Sequence, residues 1–392
     1  MKFSSQRGRR WVAVIAGVSA ATGQVKAFDP ADLMAFQAGP VEIKPHVSVS
    51  EQYSDNVFYM PSALQPRDDF ITTIAPGLSL GMGKEDITAN PFDINREQAN
   101  FISVDYTAPN LVYAKQTELD TTEHLITIKD RIKWQRLKIE GTDSIQFLSS
   151  PLAGGYGYLF LSIPFQNINQ TAYANNYRLE YAISEKTSVY VAGAHSATYF
   201  QSGLPLYDVD TLTATTGFSW KVFPKAEVFG EGYYGQTAIL PSTPNLPGLP
   251  DSPHLNIIGG FVGMRGNFTE KLTGMVKVGY EATSFSDGTP APASPVVGMT
   301  LIQKFSEKTS LELDYSRKNN PTFQAAGSIF TADNVMLQFS QVIGATGKFT
   351  ASAGGMFESD SYGAEGAFPN RQDYWYRANA MLTYHFKLWM TG

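Results

Sequence analysis

The sequence predicts an all-β chain, a transmembrane antiparallel up-and-down β-barrel of about 16 strands, with short periplasmic turns on one side and long outer loops on the other. Three observations carry that expectation: an internal period near 40 residues, apolar and polar residues alternating with period 2, and the lack of any apolar run of spanning length past the N-terminus. "SEKTS" stands at 184–188 and again at 306–310, each time behind an apolar residue and ahead of an alternating stretch. Related stops are "FPKAEV" from Phe223, "FTEKLT" from Phe268 and "IGATGKF" from Ile343. From Ile183 through Phe223, Phe268, Phe305 and Ile343 the spacings are 40, 45, 37 and 38 residues. A period of this size marks one supersecondary unit used repeatedly, here one turn, two strands and one loop.

The N-terminus reads as an export signal. Lys2, Arg7, Arg9 and Arg10 form a basic head, Trp11 to Ala21 an apolar run of 11 residues, and Val25-Lys26-Ala27 a small-x-small cleavage site. That run is too short to span a bilayer, which takes roughly 20 residues. The expected organisation is a cleaved signal over 1–27, a short periplasmic segment over 28–40 and a single outer-membrane barrel over 41–392. Removing the signal leaves 25 basic residues against 36 acidic ones. An acidic chain of this kind does not suit a nucleic-acid partner.

The strands follow from alternation. Tyr177, Leu179, Tyr181 and Ile183 share one face, opposite Arg178, Glu180 and Ala182. Leu311, Leu313 and Tyr315 alternate with Glu312, Asp314 and Ser316, and Val276, Val278 and Tyr280 with Lys277, Gly279 and Glu281. Such strands hide from a hydropathy window yet can cross a membrane as a closed barrel. Short turns are expected near 129–133, 184–187, 223–226, 268–271, 306–309 and 344–348, with a longer irregular one at 84–98. Long loops are expected near 54–68, 107–119, 148–170, 199–209, 239–253, 284–295, 318–331 and 358–371. Seven turns and eight loops separate 16 strands, and an even number puts both ends of the barrel on the periplasmic side. Aromatic pairs near strand ends, such as Tyr233-Tyr234, Trp220 with Phe223, and Tyr374-Trp375-Tyr376, read as interface girdles. A soluble propeller would need four strands per period, and each period here has room for two long ones.

The last strand carries Tyr376, Ala378, Ala380, Leu382, Tyr384 and Phe386 on one face. "YRANAMLTYHF" resembles the C-terminal signal read by the barrel-assembly machinery, with Tyr376, Leu382, Tyr384 and Phe386 as its apolar positions; here the chain continues beyond it with "KLWMTG". With "YSDNVF" at 53–58 and "DDFITTIAPGLSLGMG" at 68–83, the chain resembles the β-barrel porin 2 family. That resemblance implies the outer membrane of a Gram-negative bacterium, contact with outer-membrane lipid, and a link to barrels associated with exopolysaccharide export and its envelope components.

No catalytic or cofactor constellation is expected, and no metal site. The chain has no cysteine, and its five histidines, His46, His124, His195, His254 and His385, are scattered. "DSPH" at 251–254 and His195-Ser196 are neighbours in sequence, whereas a triad is defined by geometry. The acidic stretch from Glu358 is expected to be a solvated loop. Function should lie in the lumen. The inward positions are expected to include Arg178, Glu180, Lys221, Glu227, Glu231, Arg265, Lys277, Glu281, Glu312, Asp314 and Arg377. Their mixed signs suit a channel for a hydrophilic solute such as a carbohydrate, with weak ion selectivity; the alternatives are a structural or interaction barrel plugged by the 148–170 loop and, more remotely, an outer-membrane enzyme.

Overall fold

A computed structural model describes residues 36–55, 57–58, 67–83, 99–150, 167–201, 207–241, 254–288, 290–321, 329–344, 349–362 and 371–384. The export signal, the centre of the 148–170 loop and Phe386 lie outside them. Nineteen strands form one antiparallel sheet. In chain order they are β1 (Phe36–Ala38), β2 (Val41–Ser54), β3 (Asp69–Gly83), β4 (Phe101–Thr107), β5 (Asn110–Tyr113), β6 (Thr121–Thr122), β7 (His124–Trp134), β8 (Leu137–Ser150), β9 (Ile168–Ala182) and β10 (Thr187–Phe200). Then come β11 (Tyr207–Phe223), β12 (Ala226–Pro241), β13 (Leu255–Asn267), β14 (Leu272–Phe285), β15 (Pro290–Ser306), β16 (Thr309–Pro321), β17 (Ile329–Ile343), β18 (Phe349–Tyr362) and β19 (Arg371–Tyr384).

Neighbours in sequence are neighbours in the sheet. β4 and β5 lie end to end along β3, and β6 and β7 continue each other beside them. β1 is a three-residue arm folded onto β2, inside the segment expected to precede the barrel. The nineteen strands therefore make sixteen staves, the expected number. Among the described residues no ladder joins β19 to β2, so the up-and-down sheet is barrel-like with an open seam. Most staves run 13 to 17 residues, longer than the roughly 9–11 needed to cross a bilayer, so their ends extend past it.

The repeated pentapeptide has a local cause. In the turn after β9 the Ser184 hydroxyl accepts the amides of Lys186 and Thr187 at 3.2 and 3.1 Å. Thr269 does the same for Lys271 and Leu272 at 3.2 and 2.9 Å. Ser306 accepts the Lys308 amide at 3.1 Å. A hydroxyl two or three residues back is the side-chain form of a turn hydrogen bond. The basic residue has a second use, because its carbonyl receives an amide from the following hairpin. Arg136 takes Ala182, Lys186 takes Lys221, Lys225 takes Asn267, Lys271 takes Lys304 and Lys308 takes Val342, all at 2.7–2.8 Å. The Lys308 ammonium also donates to the Gly344 carbonyl at 2.9 Å. Each turn thereby ties its own hairpin to the next one.

Four boundaries differ from expectation. The charged run 129–133 lies inside β7, and the turn is Gln135-Arg136, with Gln135 at φ 50°. Arg131 and Lys133 alternate with Ile132 and Trp134, so the run has strand periodicity that its charge density masks. The 284–295 loop shrinks because β15 begins at Pro290, and β5 occupies part of 107–119. Glu358 to Ser361 also belong to a strand, β18, rather than to a solvated loop.

At the loop end, Val57, Phe58, Ile71, Tyr113 and Leu119 form a small buried cluster. The Asp69 carboxylate, fully buried, accepts the amides of Phe70, Lys115 and Gln116. Beside it the Lys115 ammonium, hydrogen-bonded at 2.6 Å, holds the exposed Asp68 carboxyl below its ordinary range. Single cysteines at Lys115 and Asp287 should react with an impermeant thiol reagent on intact cells, and cysteines at Lys186, Lys225 and Lys308 should not. In urea titrations, Ser184→Ala should lower stability by about 1 kcal/mol, the worth of one net hydrogen bond.

Candidate lumen wall

Directly opposed residues of an antiparallel pair share a face, so register sorts every stave. One face is apolar and exposed: Val47 and Val49 on β2, Leu212 on β11, Ile258 and Val262 on β13 and Val278 on β14 are about half to two-thirds exposed. Four of the five anchors of the period, Ile183, Phe223, Phe305 and Ile343, are exposed at the turn ends, and Phe268 is half-buried. Trp220, Tyr374 and Tyr376 also belong to it. Tyr233 and Trp375 do not: both point to the other face and bond to carboxylates there, Tyr233 to Glu281 at 2.7 Å and Trp375 to Asp360 at 2.9 Å. Leu382 and Tyr384 of the C-terminal signal pair with Ala351 and Phe349 in the register of β18.

The eleven charged positions expected inward fall on the face opposite the apolar one. Arg178 and Glu180 on β9 stand opposite Glu140 and Lys138 on β8, and opposite Ala192 and Tyr190 on β10. Glu227 on β12 pairs with Arg265 on β13. Lys277 and Glu281 follow on β14, Glu312 and Asp314 on β16 and Arg377 on β19. Lys221 continues the parity of Ser219 at the turn end of β11.

From β7 to β14 these groups form a belt of compensated charge. The Arg131 Nε donates to Glu140 at 2.5 Å. Lys138 lies 3.1 Å from both Glu140 and Glu180, and Arg178 lies 3.2 Å from Glu180. The Arg178 guanidinium stacks 3.6 Å over the Tyr190 ring, whose hydroxyl donates to Glu231 at 2.7 Å. Lys277 reaches Glu231 at 3.2 Å and lies 4.1 Å over the Phe261 ring. Arg265 pairs with Glu227 at 2.6 Å and lies over Phe229.

Several of these contacts skip a stave, and glycine permits it. Tyr190 on β10 reaches Glu231 on β12 by lying flat over Gly217 of β11, where a Cβ would come within 2.5 Å of the ring. Tyr233 on β12 reaches Glu281 on β14 over Gly259 of β13 in the same way. The side chains thus run along the wall instead of projecting from it, and Tyr190 and Phe229 are buried at 4% exposure although they stand on the polar face.

The structure does not bring the remaining candidates into this belt. Glu312 and Asp314 sit side by side on β16, and neither is ion-paired among the described residues; Asp314 accepts from Thr300 at 2.6 Å. Glu358 accepts from Asn334 at 2.5 Å. On β16 and β18 these carboxylates therefore meet neutral donors, with Lys318 and Arg377 as cations elsewhere on the same side, and the β7–β14 side is charge-compensated. Sequence reasoning missed Arg131, Lys138 and Glu140, which stand next to the misplaced turn, and Tyr190, whose role depends on a glycine one stave away. His195 and Ser196 point to opposite faces, so they cannot act on one substrate. No group of three or more metal-ligating side chains occurs among the described residues.

Sheet and wall together define an all-β, antiparallel up-and-down sheet of the barrel type, with one polar and one apolar face. No family model matches the chain, and no curated protein does. Solved structures similar to it include the FrpB iron transporter of Neisseria meningitidis, at 11% identity and TM-score 0.40, and the ferric citrate transporter FecA, at 8% and 0.41. The match covers 83% and 87% of this chain but 56% of each transporter, so the chain spans little more than half their length. Acinetobacter baumannii OccAB3 is similar at 11% identity and TM-score 0.36, over 88% of this chain and 98% of that one.

Glu227 keeps 8% of its side chain exposed and has Arg265 as its charged partner. Breaking such a pair strands a buried charge and costs about 3–5 kcal/mol, so Arg265→Met should destabilise the barrel strongly in urea titrations. Adding Glu227→Gln should restore most of the loss. Arg131→Met should cost less, because Lys138 still faces Glu140.

Proposed function

We propose that the chain is an outer-membrane pore of a Gram-negative envelope through which hydrophilic solutes diffuse. The observation that carries this reading is the sixteen-stave sheet whose polar face holds its charged side chains flat against the wall. Eight staves can be filled by side chains, whereas sixteen enclose an aqueous lumen. A wall whose side chains lie along it leaves that space to solvent. The reading contains no enzymatic step, and insertion by the barrel-assembly machinery at the Tyr376-to-Phe386 strand belongs to it.

Export of a poly- or oligosaccharide is the narrower form of the proposal, and it rests on the family resemblance. On the wall the rings of Tyr190, Phe229 and Phe261 are covered by Arg178, Arg265 and Lys277, so these three offer no free face for a sugar ring to stack on. The structure therefore supports a general hydrophilic lumen better than a dedicated sugar track.

Purified protein in planar bilayers should give stepwise conductance with a mild preference for cations, since Glu312, Asp314 and Glu358 outnumber the cations Lys318 and Arg377 on that side of the wall. Glu312→Gln with Asp314→Asn should reduce that preference and leave conductance in place. Correctly folded protein that stays silent would refute the pore and leave the plugged barrel as the reading in force.

A further inference from the structure

At the loop end of the sheet one corner leaves the wall. The ladder between β15 and β16 stops at the pair Val297 and Arg317, while the ladders from β16 to β17 and from β17 to β18 run on to Pro321 with Ile329 and to Phe330 with Tyr362. The sequence explains the break. Pro290, Pro292 and Pro295 stand at the start of β15, and a proline has no amide to give a neighbouring strand. Among the described residues, 290–296 of β15 pair with β14 alone.

Beyond Arg317 the odd-numbered side chains of β16 and β17 change sides. Leu313 and Tyr315 on β16, with Val335 and Leu337 opposite them on β17, belong to the apolar face. Asn319 has the same parity, yet it reaches the polar face. Its amide donates to Glu281 on β14 at 3.0 Å, and its carbonyl oxygen accepts from Ser294 on β15 at 2.9 Å and from Thr331 on β17 at 3.0 Å. Ile329, again of that parity, is 5% exposed and packs with Leu255 on β13 and Phe285 on β14, at 1% and 4%. Leu255 and Phe285 are directly opposed and share the polar face with Glu281. Four staves separate β13 from β17, about 19 Å round the wall at the ordinary spacing of strands, too far for their side chains to touch. The loop-end corner of β16, β17 and β18 is therefore folded inward, with its outer face laid on the inner face of β13–β15.

We infer that this corner is a gate at the loop-side mouth of the pore, an inference that rests on the pore reading above. Folded in, it narrows the lumen by about 10 Å, the thickness of one packed sheet. The latch is fully satisfied, since the second Glu281 oxygen accepts from Tyr233 at 2.7 Å. Swung back, β16 continues the register of β15, which sets Asn319 opposite Pro295. Asn319 then returns to the outer face and Glu281 is left to lumen water. The exchange gives up two hydrogen bonds and one apolar contact of three side chains, and it gains a ladder that proline keeps incomplete. Neither position is held by much, which is the condition for a two-state element hinged at strand ends.

The chain has no cysteine, so thiol chemistry reports only on an introduced pair. In the full-length protein, Leu255→Cys with Ile329→Cys should be joined by a short, reducible thiol cross-linker. In planar bilayers the joined protein should conduct about tenfold less than the same protein after reduction. Asn319→Ala with Ile329→Ser, which releases the latch, should raise the open fraction severalfold while keeping the heat-modifiable migration of a folded barrel. Failure of the folded pair to join, or equal conductance before and after reduction, would overturn the gate, while conductance of the reduced pair would uphold the pore. Silence of wild type, reduced pair and released variant alike would refute pore and gate together.

Discussion

Within a bilayer no water reaches the backbone, so every amide and carbonyl must find its partner in the neighbouring stave. The rest of this structure depends on that constraint. It forces one continuous antiparallel ladder from β2 to β19, and the ladder in turn forces period 2 on the side chains. Chain economy then sets the connections: adjacent staves are joined by the shortest turns on one side, and hydroxyl residues at Ser184, Thr269 and Ser306 close those turns by taking amides that would otherwise be left over. At three of the repeated turns the pattern in the sequence is this accounting written out.

The same low dielectric sorts the charges. On the polar face, opposite charges come within hydrogen-bond range of each other, and cations lie over aromatic rings, so that the field of each is largely spent inside the wall. Arg178 shows the economy of the arrangement, since one guanidinium meets Glu180 and the Tyr190 ring together. The smaller set on β16–β18, Glu312, Asp314 and Glu358, has no charged partner among the described residues. Mixed composition along the wall thus conceals an uneven distribution around it.

Stave number, turn positions at five of the hairpins and the common face of the charged candidates were legible in the sequence, because each follows from alternation within one strand. Relations between staves were not. Arg131 was hidden because a run of alternating charges and a polar turn have similar composition, and only the register with Glu140 separates them. Tyr233 was read as a girdle residue beside Tyr234, yet consecutive residues must face opposite ways; the partner that draws it inward, Glu281, lies two staves off and is reached over Gly259. The polar groups on the apolar face of β7–β10 escaped notice for the same reason, since Asp130, Asp143, Asn175 and His195 belong to four strands spread over 66 residues and meet only across the sheet.

The seam between β2 and β19 shows how far the backbone constraint reaches. An unpaired edge in lipid would leave a row of unsatisfied groups, so these two strands must meet for the sheet to cross a membrane. β1 already occupies the free edge of β2 at Val41 to Ile43. From Lys44 to Ser54 eleven residues of that edge remain, the length of one bilayer crossing. β19, with fourteen residues and both Tyr374 and Tyr376 on its apolar face, has enough strand to fill it. The β1 arm then marks the end of the crossing, because a residue paired with it cannot also pair with β19. The position of this short arm sets where the last stave has to stop.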